Sequence, residues 1–341
     1  MIRDARVLRA GFVPQEVEHR DAEVNHLSSV LDPITNGEPA DTAIVTGPSG
    51  TGKTCISKFV TERLREEVLD VEAIYVNCWR NYTRFRTLYQ ILDDLGATID
   101  IHRQSTPHDE LVDRLQQHDG PRTVVILDEV DQLEDPSVIY DLHSLPQFAI
   151  ICIANKEEEL FSRVDERLVS RLRSSEHVRM NKYHDEQLYD ILDARAKWCL
   201  DEDVIADDQL YRIADAAAGD ARLAIGILRT AAGKADRENH ERITDDILLD
   251  AAEDIRAQIK QKSLDSLTPH QRVYDIVREH GPVGPSEIHQ RYTEEVDDPR
   301  TKRTIRTYLS KMRQYNLLEA EGTSRDREYA TVESRSAATT T

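Results

Sequence analysis

At 341 residues, 39% hydrophobic and 32% charged, the chain is too long for one ordinary core and reads as two or three soluble globular domains. It has no apolar run near the roughly 18 residues of a membrane span, no secretory signal in residues 1–6, and four scattered cysteines without a CxxC pair. Those cysteines argue against a zinc site or disulfide framework and fit a reducing cytoplasm. The net charge of −20 would self-repel in dilute buffer but not in molar salt, where the Debye length shrinks to about 3 Å, so a halophilic source is expected.

The apolar runs at 43–46, 73–76, 123–127 and 148–154 are short and continuous, as in strands buried on both faces of a parallel sheet. Helical segments such as 53–67 and 84–95 lie between them and set a βαβ rhythm. Directly after the first strand, Gly47-Pro48-Ser49-Gly50-Thr51-Gly52-Lys53-Thr54 matches G-x-x-x-x-G-K-[ST] in full and opens a helix. The glycines let backbone N–H groups turn inward around phosphates, and the helix N-terminus adds a favourable dipole. Lys53 is placed to neutralise β- and γ-phosphates, and the Thr54 hydroxyl to bind Mg²⁺. The implied ligand is a nucleoside di- or triphosphate with Mg²⁺; the resemblance given below makes it ATP or ADP.

Asp128 and Glu129 end the most apolar strand. One carboxylate there can hold the shell of the metal, mostly through water, and the other can polarise an attacking water. The alternative is that they merely begin a solvated acidic loop. Asn155 closes the next strand, where it can orient the same water or simply form a turn. From about Asp185 to Lys262 the strands stop and helical spacing takes over, giving a small all-helical domain.

A third pattern starts at Thr268-Pro269, a cap and first position of a helix over 268–280. A second short helix over 286–291 and a third over 299–315 follow, the third with Thr301, Ile305, Tyr308, Leu309 and Met312 on one side. Arg300, Lys302, Arg303, Arg306, Lys311 and Arg313 cover much of the remainder, with no acidic residue among them. Residues 268–341 hold 12 Lys/Arg and 12 Asp/Glu, so the whole acidic excess lies upstream. Strands at 317–320 and 328–332 then flank a wing carrying Arg325 and Arg327. A basic face opposite an apolar one suits a recognition helix in a major groove; a winged helix used for protein contacts is the alternative. Residues 334–341 form a polar tail, expected to be disordered.

The phosphate loop, Leu127-Asp128-Glu129 and Asn155 are ordered like Walker A, Walker B and sensor 1 of AAA+ ATPases, and Gly219-Asp220-Ala221-Arg222 is similar to sensor 2. Further strings narrow the likeness: Phe12-Val13-Pro14 with His19-Arg20-Asp21, Asn77-Cys78-Trp79, and Tyr183 through Gln187-Leu188 and Ile191-Leu192 to Arg195. With the winged helix, they resemble archaeal origin-recognition and replication-initiator proteins of the Orc/Cdc type, over about residues 12–332. The resemblance implies an α/β P-loop AAA+ base domain over 1–181, with a parallel sheet covered by helices on both faces. It further implies an all-helical lid over 182–265 and a C-terminal winged-helix domain over 266–333.

It also implies roles. Val13, Pro14 and the His19-Arg20 segment line the adenine pocket, Tyr183 and Arg195 reach the nucleotide from the lid, and Arg222 reaches the γ-phosphate. Arg171 is the expected arginine finger for a neighbouring copy, with Arg167 and Arg173 as competitors. Residues 80–95, with Arg84 and Arg86, are the candidate for a DNA-touching helix near the second strand. The implied function is a weak ATPase that uses nucleotide state as a switch, binds double-stranded origin DNA and helps load the replicative minichromosome-maintenance helicase. Other initiator copies are possible partners, and no membrane is involved. An ATP-dependent transcriptional regulator and a clamp-loader-like ATPase share enough of these motifs to stand as alternatives.

Overall fold

The structure is a computed structural model. It describes the chain apart from residues 10, 100, 103–105, 162–165, 267–270, 296–298, 315–316, 323–326 and 333–341, and apart from the side chains of 159, 166–168, 259–266, 271, 311 and 314. The Thr268-Pro269 cap, Arg325, the polar tail and the side chains of Arg167 and Lys311 therefore lie outside the described residues. The chain divides into two compact units, Met1–Ala252 and Glu253–Thr341.

In chain order the first unit runs through α1 (Asp21–Thr35), β1 (Ala43–Thr46), α2 (Lys53–Glu67), β2 (Val71–Asn77), α3 (Arg84–Asp94), α4 (His108–Gln116) and β3 (Arg122–Asp128). It continues with α5 (Ser137–His143), β4 (Phe148–Ala154), α6 (Glu157–Phe161), α7 (Glu166–Arg173) and β5 (Glu176–Arg179). The strands form one five-stranded sheet in the order β2-β3-β4-β1-β5, and every pairing is parallel. Side chains alternate between its faces. Ile44, Val125, Leu127, Ile150 and Cys152 pack under α3, α4 and α5, whereas Ala43, Val45, Ile126, Ile151 and Ile153 pack under α1 and α2. Both faces are thus dry, which is why β4 reads as an unbroken apolar run with all seven residues buried.

The expected strands appear at their places. The fifth strand, β5, buries only Val178 and left no apolar run to read; backbone pairing to β1 makes it, Ala43 facing Glu176 and Val45 facing Val178.

Helices α8 (Asp185–Cys199), α9 (Asp207–Ala217), α10 (Ala221–Arg237) and α11 (Asp245–Ser266) follow, and no strand interrupts them. The division between the units falls inside α11. Leu188 and Leu192 of α8, Leu210 and Ile213 of α9, and Ile227 and Leu228 of α10 are buried, the stripes that the sequence spacing predicted. The start of the chain is strapped to the end of α8. Ile2 bridges Leu200, the Arg3 amide donates to the Cys199 carbonyl at 2.7 Å, and the Arg3 guanidinium to the Lys197 carbonyl at 2.6 Å. Val7 and Leu8 are buried.

The second unit holds α12 (Gln271–His280), α13 (Pro285–Glu295), α14 (Lys302–Gln314) and the antiparallel pair β6 (Leu318–Glu321) and β7 (Glu328–Thr331). Val283, in the link between α12 and α13, exchanges two 3.0 Å hydrogen bonds with Tyr329 and so adds a third rung to the hairpin. Val273, Ile276, Ile288, Ile305, Leu309 and Met312 close the core between the helices. The second helix runs to Glu295, longer than predicted, and Tyr292, the first residue past the expected end, is buried. Thr301 is a correction: it is exposed, and its hydroxyl accepts from the Thr304 amide at 3.3 Å, so it caps α14 instead of joining its apolar side. Among the described residues, no helix is long and apolar enough to cross a membrane.

Candidate nucleotide site and basic helix

The phosphate loop lies between β1 and α2, and its glycines are needed sterically. At Gly47 (φ +151°) an added Cβ would fall 2.2 Å from the Met180 carbonyl oxygen. At Gly50 (φ +73°) it would fall 1.9 Å from the Asp220 carboxylate. Lys53 opens α2 and is buried. Its Nζ donates to the Gly47 carbonyl at 2.6 Å, the Pro48 carbonyl at 2.7 Å and Asn155 Oδ1 at 3.2 Å. Burial lowers its pKa to about 8, opposed by the carboxylate of Asp128. The Thr51 hydroxyl donates to the Pro48 carbonyl at 2.9 Å and stiffens the turn, while Pro48 and Ser49 are exposed at its crest. A glycine loop with a buried cation at the start of a helix suits a chain of phosphates.

The parallel register sets Asn77 of β2 beside Asp128 of β3. Asp128 Oδ2 accepts from the Thr54 hydroxyl at 2.8 Å and from the Tyr75 hydroxyl at 2.8 Å. Glu129 follows in the left-handed region, φ +61°, a conformation that costs a non-glycine residue about 1–2 kcal/mol. The turn aims its carboxylate at Asn77, whose Nδ2 donates to it at 3.3 Å. Burial pushes the Glu129 carboxyl upward, reinforced by the charges of Asp128 and Asp131. Asp128, Glu129 and Asn155 thus converge on Lys53. The sequence reading named these but missed Tyr75 and Asn77, one step along a strand whose contribution depends on its neighbour. Their signal was the Tyr-x-Asn alternation, which puts two polar groups on one side of an otherwise apolar run.

The helical part closes over the loop. The Ala221 amide donates to the Gly50 carbonyl at 3.0 Å, and Asp220 caps α10 by accepting from the Leu223 amide at 2.9 Å. Arg222, in the first turn, is exposed, and its positive charge is felt by both Lys53 and Glu129. The Tyr183 hydroxyl lies 3.0 Å from where a Cβ on Gly52 would stand. Its ring carries the Arg20 guanidinium at 4.0 Å, and Arg20 also donates to the Asn181 carbonyl at 2.6 Å. Val13 packs against the core under α1 and α2 and lines a pocket with Val7, Phe12 and Trp198; Pro14 is half-buried beside it in the chain. Arg195 donates to the Val7 carbonyl and lies 4.8 Å from the Phe12 ring centroid, so its guanidinium grips the first segment of the chain.

Arg171 and Arg173 are exposed on α7, and the Arg171 guanidinium lies 4.6 Å over the ring of Tyr140. Arg84 bears on the reading of residues 80–95. It makes a two-pronged ion pair with Asp141 of α5 at 2.7 and 2.9 Å, which binds α3 to the body of the unit and gives Arg84 a structural partner. Arg86 is exposed, 5.4 Å from the Tyr82 ring centroid.

In the second unit Arg300, Lys302, Arg303, Arg306 and Arg313 are all exposed, and Arg327 is half-buried just before β7. Ile305, Leu309 and Met312 are buried on the inner side of α14. One helix therefore presents a basic stripe to solvent and anchors itself by the opposite face.

Residues 38–173 match a family profile described as AAA domain, and residues 189–253 one described as Cdc6 AAA+ ATPase-type lid domain. The chain is 86% identical over 335 residues to ORC1-type DNA replication protein 9 of Halobacterium salinarum, covering 98% of this chain and 95% of that one. It is 51% identical to ORC1-type DNA replication protein 1 of the same organism, covering 90% and 100%. Among solved structures it resembles the ORC1 protein of Aeropyrum pernix in complex with DNA, with a TM-score of 0.77 at 26% identity, covering 97% and 93%. Sheet order, phosphate loop and helical lid agree with these likenesses, and the chain belongs to the archaeal Orc1/Cdc6-type replication initiators, AAA+ ATPases, in a halophilic lineage.

Proposed function

We propose that this initiator binds double-stranded origin DNA through a C-terminal winged helix and its AAA+ domain, that ATP and ADP set two states of the base and lid, and that the ATP state supports loading of the replicative minichromosome-maintenance helicase. The observation that carries the switch is the hydrogen bond from the Ala221 amide, the first residue of α10, to the Gly50 carbonyl of the phosphate loop. A ligand that moves this loop must move the lid helix with it. The proposed base, lid and winged-helix boundaries remain 1–181, 182–265 and 266–333.

Lys53, freed from the loop carbonyls, meets the β- and γ-phosphates, and Val13, Pro14, Tyr183 and Arg195 surround the adenosine end. The Thr54 hydroxyl and Asp128 carboxylate, 2.8 Å apart, fit Mg²⁺, which takes one or two protein oxygens and completes its shell with phosphates and water. Bound there, Mg²⁺ would supply positive charge against that of the β- and γ-phosphates. Glu129 polarises the attacking water, Asn155 orients it, and Arg222 faces the γ-phosphate. Arg171 completes the site of another copy, so hydrolysis by an isolated chain is slow. On DNA, α14 enters the major groove with Arg300, Lys302, Arg303, Arg306 and Arg313, and Arg325 and Arg327 touch the backbone from the wing.

Footprinting on origin duplex tests this reading. Wild type is expected to protect the origin differently with ATP and ADP, Lys53→Ala to lose that difference, and Arg303→Ala to lose protection with either nucleotide. Identical footprints for ATP and ADP would remove the switch, and undiminished protection by Arg303→Ala would remove the winged helix as the reader.

A further inference from the structure

The geometry points to Tyr75 as a positioning residue for Asp128: its phenol, with the Thr54 hydroxyl, locks one carboxylate oxygen so that the other is held toward a magnesium-bound nucleotide. This rests on the nucleotide site proposed above. Tyr75 and Asp128 sit on neighbouring strands, Tyr75 facing Ile126 in the parallel register and Asp128 two residues further along. The Tyr75 hydroxyl and the Thr54 hydroxyl both donate to Oδ2 of Asp128, each at 2.8 Å. Oδ1 has no hydrogen-bond partner among the described residues.

One donor alone would leave the carboxylate free to turn, because the terminal torsion of an aspartate is broad. Two donors from different elements, a helix and a strand, fix it. The phenol comes on a ring that is itself held, since the Lys58 ammonium of α2 lies 3.7 Å from its centroid. Thr54 has a second task in the proposed site, as a metal ligand through its oxygen. Tyr75 has no such task in the proposed site; its phenol serves Asp128 and meets the Asn77 side chain beside it.

The test is the affinity of a fluorescent ADP analogue for the full chain, measured with excess magnesium and again with EDTA, for wild type and Tyr75→Phe. The substitution deletes one oxygen and leaves the ring under Lys58. Affinity in EDTA is expected to stay within about twofold of wild type, and the gain on adding magnesium to fall about tenfold, the size of one lost hydrogen bond to a charged group. A thermal melt of the variant without nucleotide, close to that of wild type, checks that the fold is intact. An unchanged magnesium gain in Tyr75→Phe overturns the inference and leaves the site standing, as does an equal loss with magnesium and with EDTA. A wild type with no affinity for the analogue in either condition overturns the nucleotide site itself.

Discussion

Burial leaves Lys53 with two carbonyls and one amide oxygen to share its charge, and its pKa comes down to about 8. A polyphosphate in the loop reverses this, because an anion beside the ammonium favours its charged form. Binding therefore takes up a proton at any pH between about 8 and the higher value of the complex. Nucleotide affinity is expected to be flat below that window and to fall by up to about tenfold per pH unit within it. Calorimetry in buffers of different ionisation heat reads the proton directly. Lys53→Arg, whose side chain stays charged, is expected to remove the pH dependence. A flat affinity in wild type up to pH 9.5 would contradict this account. At this scale the sequence was most informative where chemistry requires a fixed spacing. The loop from Gly47 to Thr54 and the pair Asp128 and Glu129 could be named from letters alone. Tyr75 and Arg84 could not, because the meaning of each depends on a partner, Asp128 for one and Asp141 for the other, more than fifty residues away.

Helix α10 touches the phosphate loop at a point with no spare room, between Gly50 and the capping carboxylate of Asp220. A methyl group at Gly50 meets two costs. A left-handed φ of +73° disfavours any side chain by about 1–2 kcal/mol, and displacing Asp220 forfeits a helix cap worth about 1 kcal/mol. Gly50→Ala is therefore expected to lower stability by about 2–3 kcal/mol. In an Asp220→Ala background, where the cap is already gone and the space is open, the same change is expected to cost only the backbone part. Denaturant melts of the four proteins in this cycle measure the coupling, and strict additivity would show that the two residues do not press on each other. Elements with a strong period were legible: β4 as a doubly buried run, α14 as an apolar stripe under a basic one. The strand β5 was not, since an edge strand with one buried residue is made by its pairing and not by its side chains. Thr301 was misread because a residue at the right angle on a helical wheel can still lie before the first turn.

The chain as a whole carries −20, and its acidic excess lies upstream of residue 268. Charges that stand on the surface repel over about 10 Å at 0.1 M salt and over about 3 Å at 1 M. The melting temperature is expected to rise by several degrees between about 0.1 and 2 M potassium chloride, and to rise less in sucrose, which excludes itself from the surface without screening. Scanning calorimetry in the two series separates the effects, and equal gains would deny a role to charge. The parallel sheet and the helical segment after it were legible at this scale because each writes a different period.

The strap that ties Ile2 and Arg3 to the end of α8 gives the lid a second attachment. The chain crosses between sheet and lid once between Leu8 and Asp21 and again between Arg179 and Asp185. A door hung on two pins swings but does not swivel. If the proposed switch operates, a displacement that begins at Gly50 is expected to reach α10 as a swing about the line through those two crossings.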